Sequence, residues 1–212
     1  MKDYFKNIKS KEFLISIIFM MGFQALLYWS LKLLQADFHT FNYSIDSKIP
    51  FVPQLIIIYN LFYPMVFIAF YNIFNHDKDT YYKGVIASII GFIIADIVFI
   101  VYPTVIVRPD ITNLTIDPIN NFVLYLTYKV DTPAINCLPS IHCLFCFQTI
   151  ITSLMCRNYN NKPKIIIISI LLLIATSTVL VKQHYFIDII GALIVCGIST
   201  PLGILIYKKI KN

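Results

Sequence analysis

Along the 212-residue chain, long apolar runs alternate with short polar breaks. A helix needs about 20 apolar residues to cross the ~30 Å hydrocarbon layer of a bilayer. Runs of that kind fall near 13–34, 52–74, 83–104, 138–156, 164–181 and 186–207. The pattern predicts an all-α integral membrane protein, a six-transmembrane-helix bundle forming a single domain over 1–212. Lys2, Lys6, Lys9 and Lys11 precede the first run, as in a signal peptide. Phe13 to Leu34 is too long for a cleaved apolar core and no small-x-small site follows, so the run reads as a signal-anchor helix. Pro64 is expected to kink the second run. The longest linker, 105–137, contains an amphipathic segment, Ile119 to Tyr128, suited to a short interfacial helix. Long ordered linkers in compact domains are more often functional than idle. No internal repeat of the transporter kind is visible.

Composition strengthens the membrane reading. With 58% hydrophobic and 13% charged residues and a mean hydropathy of +0.74, a soluble domain of this size cannot bury its apolar surface. The net charge of +6 does not point to nucleic acid, because the basic residues sit between apolar runs. Topology accounts for them. With the N-terminus cytoplasmic, twelve of the 17 lysines and arginines lie inside, and Lys32, Lys48, Arg108, Lys129 and Lys182 lie outside. Both termini are therefore expected in the cytoplasm of a multi-pass cell-membrane protein. Five cysteines at irregular spacing imply no disulfide framework, and Cys143 and Cys146 have CxxC spacing inside an apolar run without a second pair. They read as buried small hydrophobes.

Three short segments carry chemistry, and the topology brings them to one outer face. Val107-Arg108-Pro109 follows the third run, Leu138-Pro139-Ser140-Ile141-His142 opens the fourth, and Lys182 to Asp188 joins the fifth to the sixth. Proline suits a first helical position, and the free amides near Ser140, Ile141 and His142 would form an anion site. A capped helix with an interfacial histidine would share that pattern. His184 and Asp188 are four apart, so the carboxylate can hold the Nδ1 proton and leave Nε2 as nucleophile or base. The sixth run would present a second helix N-terminus to the same face. Arg108 can clamp phosphate oxygens with two hydrogen bonds. Ionisable residues at membrane depth are costly and usually functional. Together these parts suit phosphoryl transfer through a phospho-enzyme. No metal-ligand cluster or phosphate-binding glycine loop is evident, so metal-independent chemistry without a cofactor is expected. Asp96 is expected to face the bundle, pair with a polar neighbour and support Arg108 from behind; His39 and His76 are expected to be solvated.

The ordered segments Arg108-Pro109, Pro139-Ser140-x-His142 and Ser177-x6-His184-x3-Asp188 resemble the three motifs of the PAP2 (type 2 phosphatidic acid phosphatase) superfamily over roughly 50–207. The resemblance implies that His184 forms a phosphohistidine, Asp188 orients it and His142 protonates the leaving group. Arg108 and the Ser140 region would bind the phosphoryl oxygens. The chain departs from the motifs at three places: Val101 stands for a lysine, Ile141 for a glycine and Thr178 for an arginine. Lys182 is the residue expected to restore a missing charge. The bulky Ile141 and the QHYxxD sequence look more like the branch containing inositol phosphorylceramide synthase-like proteins, which pass phosphoryl groups to an alcohol.

The leading expectation is thus an extracytoplasmic-facing phosphatase for a lipid phosphate or diphosphate, with the bilayer and a lipid as its partners. A lipid phosphotransferase using the same site is the first alternative. A non-catalytic membrane protein on the same scaffold is the second, and it predicts that His184→Ala changes no activity. No residue selects a lipid tail or an oligomeric state.

Overall fold

Each apolar run becomes helical in the computed structural model, which describes residues 10–33, 37–41 and 43–212. Lys2, Lys6, Lys9 and Leu34, which figure in the expectations above, lie outside the described residues. The helices are α1 (Lys11–Lys32), α2 (Ser44–Lys48), α3 (Ile56–Asn60), α4 (Phe62–His76), α5 (Lys78–Val101), α6 (Pro118–Val130), α7 (Ile141–Met155), α8 (Asn161–Leu180) and α9 (Phe186–Lys211). The fold is all-helical, 74% helix, with no strand among the described residues.

Five helical segments are long and apolar enough to cross a membrane: α1, Pro53–His76, α5, α8 and α9. This is a multi-pass membrane protein. The fourth run yields only the 15 residues of α7, about 22 Å of helix, which is less than the hydrocarbon thickness. The reason is local. Ser140 caps the helix through its side chain, so regular structure begins at Ile141 and not at 138. Helix α7 is the inner helix, packed against α4, α5, α8 and α9, with Cys143, Leu144, Phe145 and Cys146 buried. All five cysteines are free and buried.

The second span is interrupted. A 3₁₀ turn at Pro53–Leu55 leads into α3, and the helix breaks at Leu61 before α4. Pro64 has no N–H to offer the Asn60 carbonyl and its ring crowds that group, which accounts for the break. Helices α5 and α9 approach most closely where a Cβ on Gly203 would stand 2.6 Å from the Cβ of Ala87, a contact open only to glycine.

The two ends of the bundle differ. At one end Phe13 packs against Phe67, Tyr71, Phe74 and Tyr81 with ring centroids 5.3–5.8 Å apart. Ion pairs Lys78–Glu12 and Lys211–Asp79 close that end. The opposite end carries the long linker, and it is ordered. Buried Thr104 accepts the amides of Cys137 at 3.0 Å and Leu138 at 2.9 Å through Oγ1, and that of Asn136 at 2.8 Å through its carbonyl. These bonds stitch the approach to α7 against the exit from α5.

The expected interfacial helix forms as α6. Asp117 caps it by accepting the Asn120 amide at 3.0 Å, Pro118 occupies its first turn, and buried Leu124 and Tyr128 pack against Ile56, Tyr59 and Val181. His39 and His76 are exposed, His39 stacking on Tyr102 with centroids 4.3 Å apart. Asp96 is buried and accepts from Gln24 at 3.4 Å; it does not contact Arg108, so the supporting role expected for it is not met.

Candidate active site

The turn before α9 sets the first histidine. Lys182 adopts a left-handed φ of 53°, and the amides of Gln183 and His184 donate to the Thr178 carbonyl at 2.9 and 3.2 Å. Asp188, in the first turn of α9, reaches back so that its Oδ2 accepts the Tyr185 amide at 2.9 Å. The same oxygen lies 3.2 Å from His184 Nδ1. With the carboxylate ionised, Nδ1 is the donor in this contact, and Nε2 is the ring nitrogen left to act. The second oxygen, Oδ1, is buried without a hydrogen-bond partner among the described residues.

The start of α7 sets the second. The Ser140 hydroxyl accepts the Cys143 amide at 3.2 Å, and the Ser140 amide donates to the Asp188 carbonyl at 3.1 Å. Pro139 therefore precedes the cap and does not occupy the first helical position. The two helix starts come this close because residue 191 is glycine: a Cβ there would lie 2.7 Å from Leu138 Cδ1 and 3.3 Å from Pro139 Cβ. His142 is held between the rings of Tyr59 and Phe62, centroids 4.7 and 4.5 Å away, with the Tyr59 hydroxyl 3.5 Å from Nδ1. Its ring centroid is 6.1 Å from that of His184. The amides of Ile141 and His142 have no acceptor among the described residues, whereas that of Ser140, expected to share in the anion cradle, is taken by the Asp188 carbonyl. The start of α9 is different: its Tyr185 and Phe186 amides are consumed by Asp188 and by Asp46, the latter at 2.8 Å. It is a satisfied helix end and offers no second cradle at those groups.

Arg108 is clamped. Its guanidinium pairs with the Asp131 carboxylate and the Gln183 side-chain oxygen, and donates to the carbonyls of Tyr128 and Asp131 at 3.3 and 3.1 Å. It also lies over the Tyr128 ring, 4.7 Å from its centroid. Its Nε is buried and unpartnered among the described residues. Asp131 is shared with α1, accepting from Tyr28 and Lys32, each at 2.9 Å. Burial would raise the Asp131 carboxyl, but Arg108 and then Lys32 outweigh it and hold it below the ordinary carboxylate value. Lys182 turns its ammonium to the carbonyls of Ile49 at 2.6 Å and Asp46 at 3.3 Å, and burial pushes its pKa down.

Two cavities flank His184. One, of about 370 Å³, runs from Gln24, Ala25 and Tyr28 on α1, past Tyr63 and Leu126, to Asn136, Cys137, His142 and His184. The other, of about 410 Å³, is lined by Asp46, Arg108, Lys182, His184 and Tyr185. The structure thus brings His184, Arg108 and Lys182 onto one cavity and His184 with His142 onto the other. Ser140 lines neither, its hydroxyl being occupied by the helix cap. Val101 is exposed at the end of α5 and also lines neither. Thr178 is buried, its hydroxyl bonded to the Ala175 carbonyl at 2.7 Å, and it serves as the acceptor that shapes the His184 turn.

Sequence reasoning missed Asp131, Gln183, Tyr59, Asn136 and a role for Cys137 beyond packing. Gln183 stands next to His184 and was open to notice; Asp131 sits in an aperiodic loop where nothing marks it. Cys137, His184 and Asp188 also form a buried trio whose ligand atoms lie within 4.8 Å of one another. Burial pushes the Cys137 thiol well up, helped by the Asp188 and Asp131 charges, so it is a neutral thiol here.

Residues 37–202, more than half of the chain, match the model of the PAP2 superfamily. This chain belongs to that superfamily, whose members are generally phosphatases. Comparison with curated proteins and with solved structures gave no match.

Proposed function

We propose that the protein is a lipid-phosphate phosphatase that works through a phosphohistidine on His184 at the extracytoplasmic face of the cell membrane. In this reading α7 also spans, as the inner, fourth of six membrane helices. Its non-helical approach, 138–140, is tolerated at membrane depth because protein surrounds it. The excess of lysine and arginine in the loops assigned to the inner side supports cytoplasmic termini.

The observation that carries the reading is the environment of His184: its Nδ1 is held by Asp188, its ring faces His142, and it lines both cavities. The lone pair on Nε2 attacks phosphorus while the bond from phosphorus to the leaving oxygen breaks. His142, which takes up a proton together with the anionic substrate, gives it to that oxygen. Water then attacks the phosphohistidine, returns a proton to His142 and releases phosphate. Arg108, Lys182 and the free amides of Ile141 and His142 neutralise the phosphoryl oxygens; Ser140 acts by fixing those amides. The cavity from α1 to His142 takes the lipid chain, since its walls come from α1, α4 and α6 and its end meets the reacting group.

One observation also favours transfer. The 410 Å³ cavity behind Arg108 exceeds what phosphate alone needs and carries Asp46, Lys182 and Tyr185, polar groups suited to an alcohol acceptor. Detergent-solubilised protein incubated with a panel of lipid phosphates and diphosphates, in chelator-treated buffer, decides both points. Release of phosphate by the wild type and near-complete loss in His184→Ala is expected. A headgroup-exchanged lipid in place of phosphate would assign the transferase. Equal product from wild type and His184→Ala would remove the enzymatic reading.

A further inference from the structure

We infer that Cys137, His184 and Asp188 form a binding site for a thiophilic divalent cation of the zinc class, and that filling it withdraws His184 from phosphoryl chemistry. The second half of this inference rests on the phosphohistidine reading; the first does not.

The donor set is the starting point. Thiolate, imidazole and carboxylate are the three protein ligand types that zinc takes, with a fourth position left to solvent. Here one sulfur, one imidazole nitrogen and one carboxylate oxygen lie within 4.8 Å of one another. A tetrahedral site with metal–ligand bonds of about 2.0–2.3 Å separates its donors by roughly 3.5 Å, so side-chain adjustments on the order of 1 Å close the set. The trio is well fixed for this. Thr104 holds the backbone amide of Cys137, the Thr178 carbonyl holds that of His184, and Asp188 sits in the first turn of α9.

Two further observations point to a ligand. Asp188 Oδ1 is fully buried and has no hydrogen-bond partner among the described residues, an expensive arrangement for a carboxylate unless something else satisfies it. Cys137 and His184 both line the cavity that begins at α1, which provides access and room for a fourth ligand. The other four cysteines lack this company: Cys143, Cys146, Cys156 and Cys196 belong to no such cluster among the described residues.

Binding is a simple exchange. The metal forms bonds to the Cys137 sulfur, a His184 ring nitrogen and an Asp188 oxygen. The thiol proton of Cys137 leaves to solvent, and where Nδ1 is the ligand its proton moves to Nε2, so the lone pair that would attack phosphorus is lost in either case. The imidazole that would attack phosphorus becomes a metal ligand, and Asp188 no longer holds it in place. The site competes with catalysis and takes no part in it.

The test uses the full chain in detergent with cobalt(II) as probe. One equivalent is expected to give a thiolate-to-cobalt charge-transfer band that zinc displaces and that Cys137→Ala abolishes while Cys143→Ala retains it. In the wild type, zinc is expected to protect Cys137 from maleimide, read by mass spectrometry, which keeps the result independent of how the variant folds. In the phosphatase assay zinc should inhibit, and Cys137→Ala should raise the half-inhibitory concentration by about 100-fold, since even outer-shell partners of a metal site are worth 10–100-fold. Absence of the band, its persistence in Cys137→Ala, or equal inhibition of both proteins overturns the inference. If the protein releases no phosphate from any lipid, the proposed function fails while the cobalt band still decides the site.

Discussion

The cavity that begins at α1 and the cavity behind Arg108 share only His184, and they are built by opposite means. The first is walled mostly by helices, with Ala25, Tyr28, Tyr63 and Leu126 among its lining and His142 and His184 both opening onto it. The second is walled largely by turns and the short α2, with Asp46 on α2, Lys182 and Tyr185 in the turn before α9 and Arg108 in the linker after α5. A lipid phosphate has the same division, an apolar chain joined to an anion. The contrast teaches how one imidazole comes to border two unlike spaces: packed helices make the apolar wall and hydrogen-bonded backbone the polar one, a division that in the proposed reading matches chain and headgroup.

The comparison can be broken from either side. The largest expected effect is on the polar side. Lys182→Ala removes one of the two cations lining that cavity and should lower phosphate release by about 100-fold or more, the range for losing one charge-stabilising donor. A near-normal rate would dismiss its role. Next is the network between the cavities. Asp131→Ala leaves Arg108 and Lys32 without their carboxylate; because Asp131 is only half-buried, the loss is expected to fall below the ~3–5 kcal/mol of a fully buried pair. Both a lower Tm in detergent and a rate loss of about tenfold are expected, while a Tm unchanged from wild type would show that Gln183, Tyr128 and the residue 131 carbonyl suffice to hold Arg108.

Smaller effects sharpen the apolar side. Ala25→Phe narrows the cavity near α1 and removes room for two or three methylenes at about 0.8 kcal/mol each, so kcat/KM for a long-chain lipid phosphate should fall by about tenfold or more. A short, water-soluble phosphate ester should be turned over within about twofold of wild type; an equal fall for both would place the chain elsewhere. The smallest effect concerns pH. The folded Asp131 carboxyl is held below the ordinary 3.8, so its stabilising contribution is fully present above that value and is lost only as pH falls through the lower, folded one. The Tm gap between wild type and Asp131→Asn should therefore stay constant from neutral pH down to about 5 and close only in stronger acid; a gap that closes by pH 5 would contradict the pairing.

Much of the helical frame was legible beforehand because a bilayer demands long apolar runs, and such runs are visible without any partner. Helix α6 was legible as the amphipathic stripe from Ile119 to Tyr128, whereas its start at Asp117 and Pro118 was not. The short α7 was not, since its start depends on a serine side chain closing on an amide three residues ahead. His184 with Asp188 could be read from a spacing of four, and Arg108 from its place after an apolar run. Asp131 could not, because its meaning comes from Arg108, Lys32 and Tyr28, which reach it from distant parts of the chain.

By itself, then, the sequence determined the class of the protein, the existence of its long helices and three segments rich in chemical groups, because hydrophobic period and residue spacing act locally. Tertiary structure alone decided which groups meet. It laid Cys137 beside His184, turned the start of α9 onto two carboxylates, and left the amides of Ile141 and His142 free. The physical reason is that hydrogen bonds and ion pairs are specific over about 3 Å, a distance that no pattern along a chain encodes until packing has closed it.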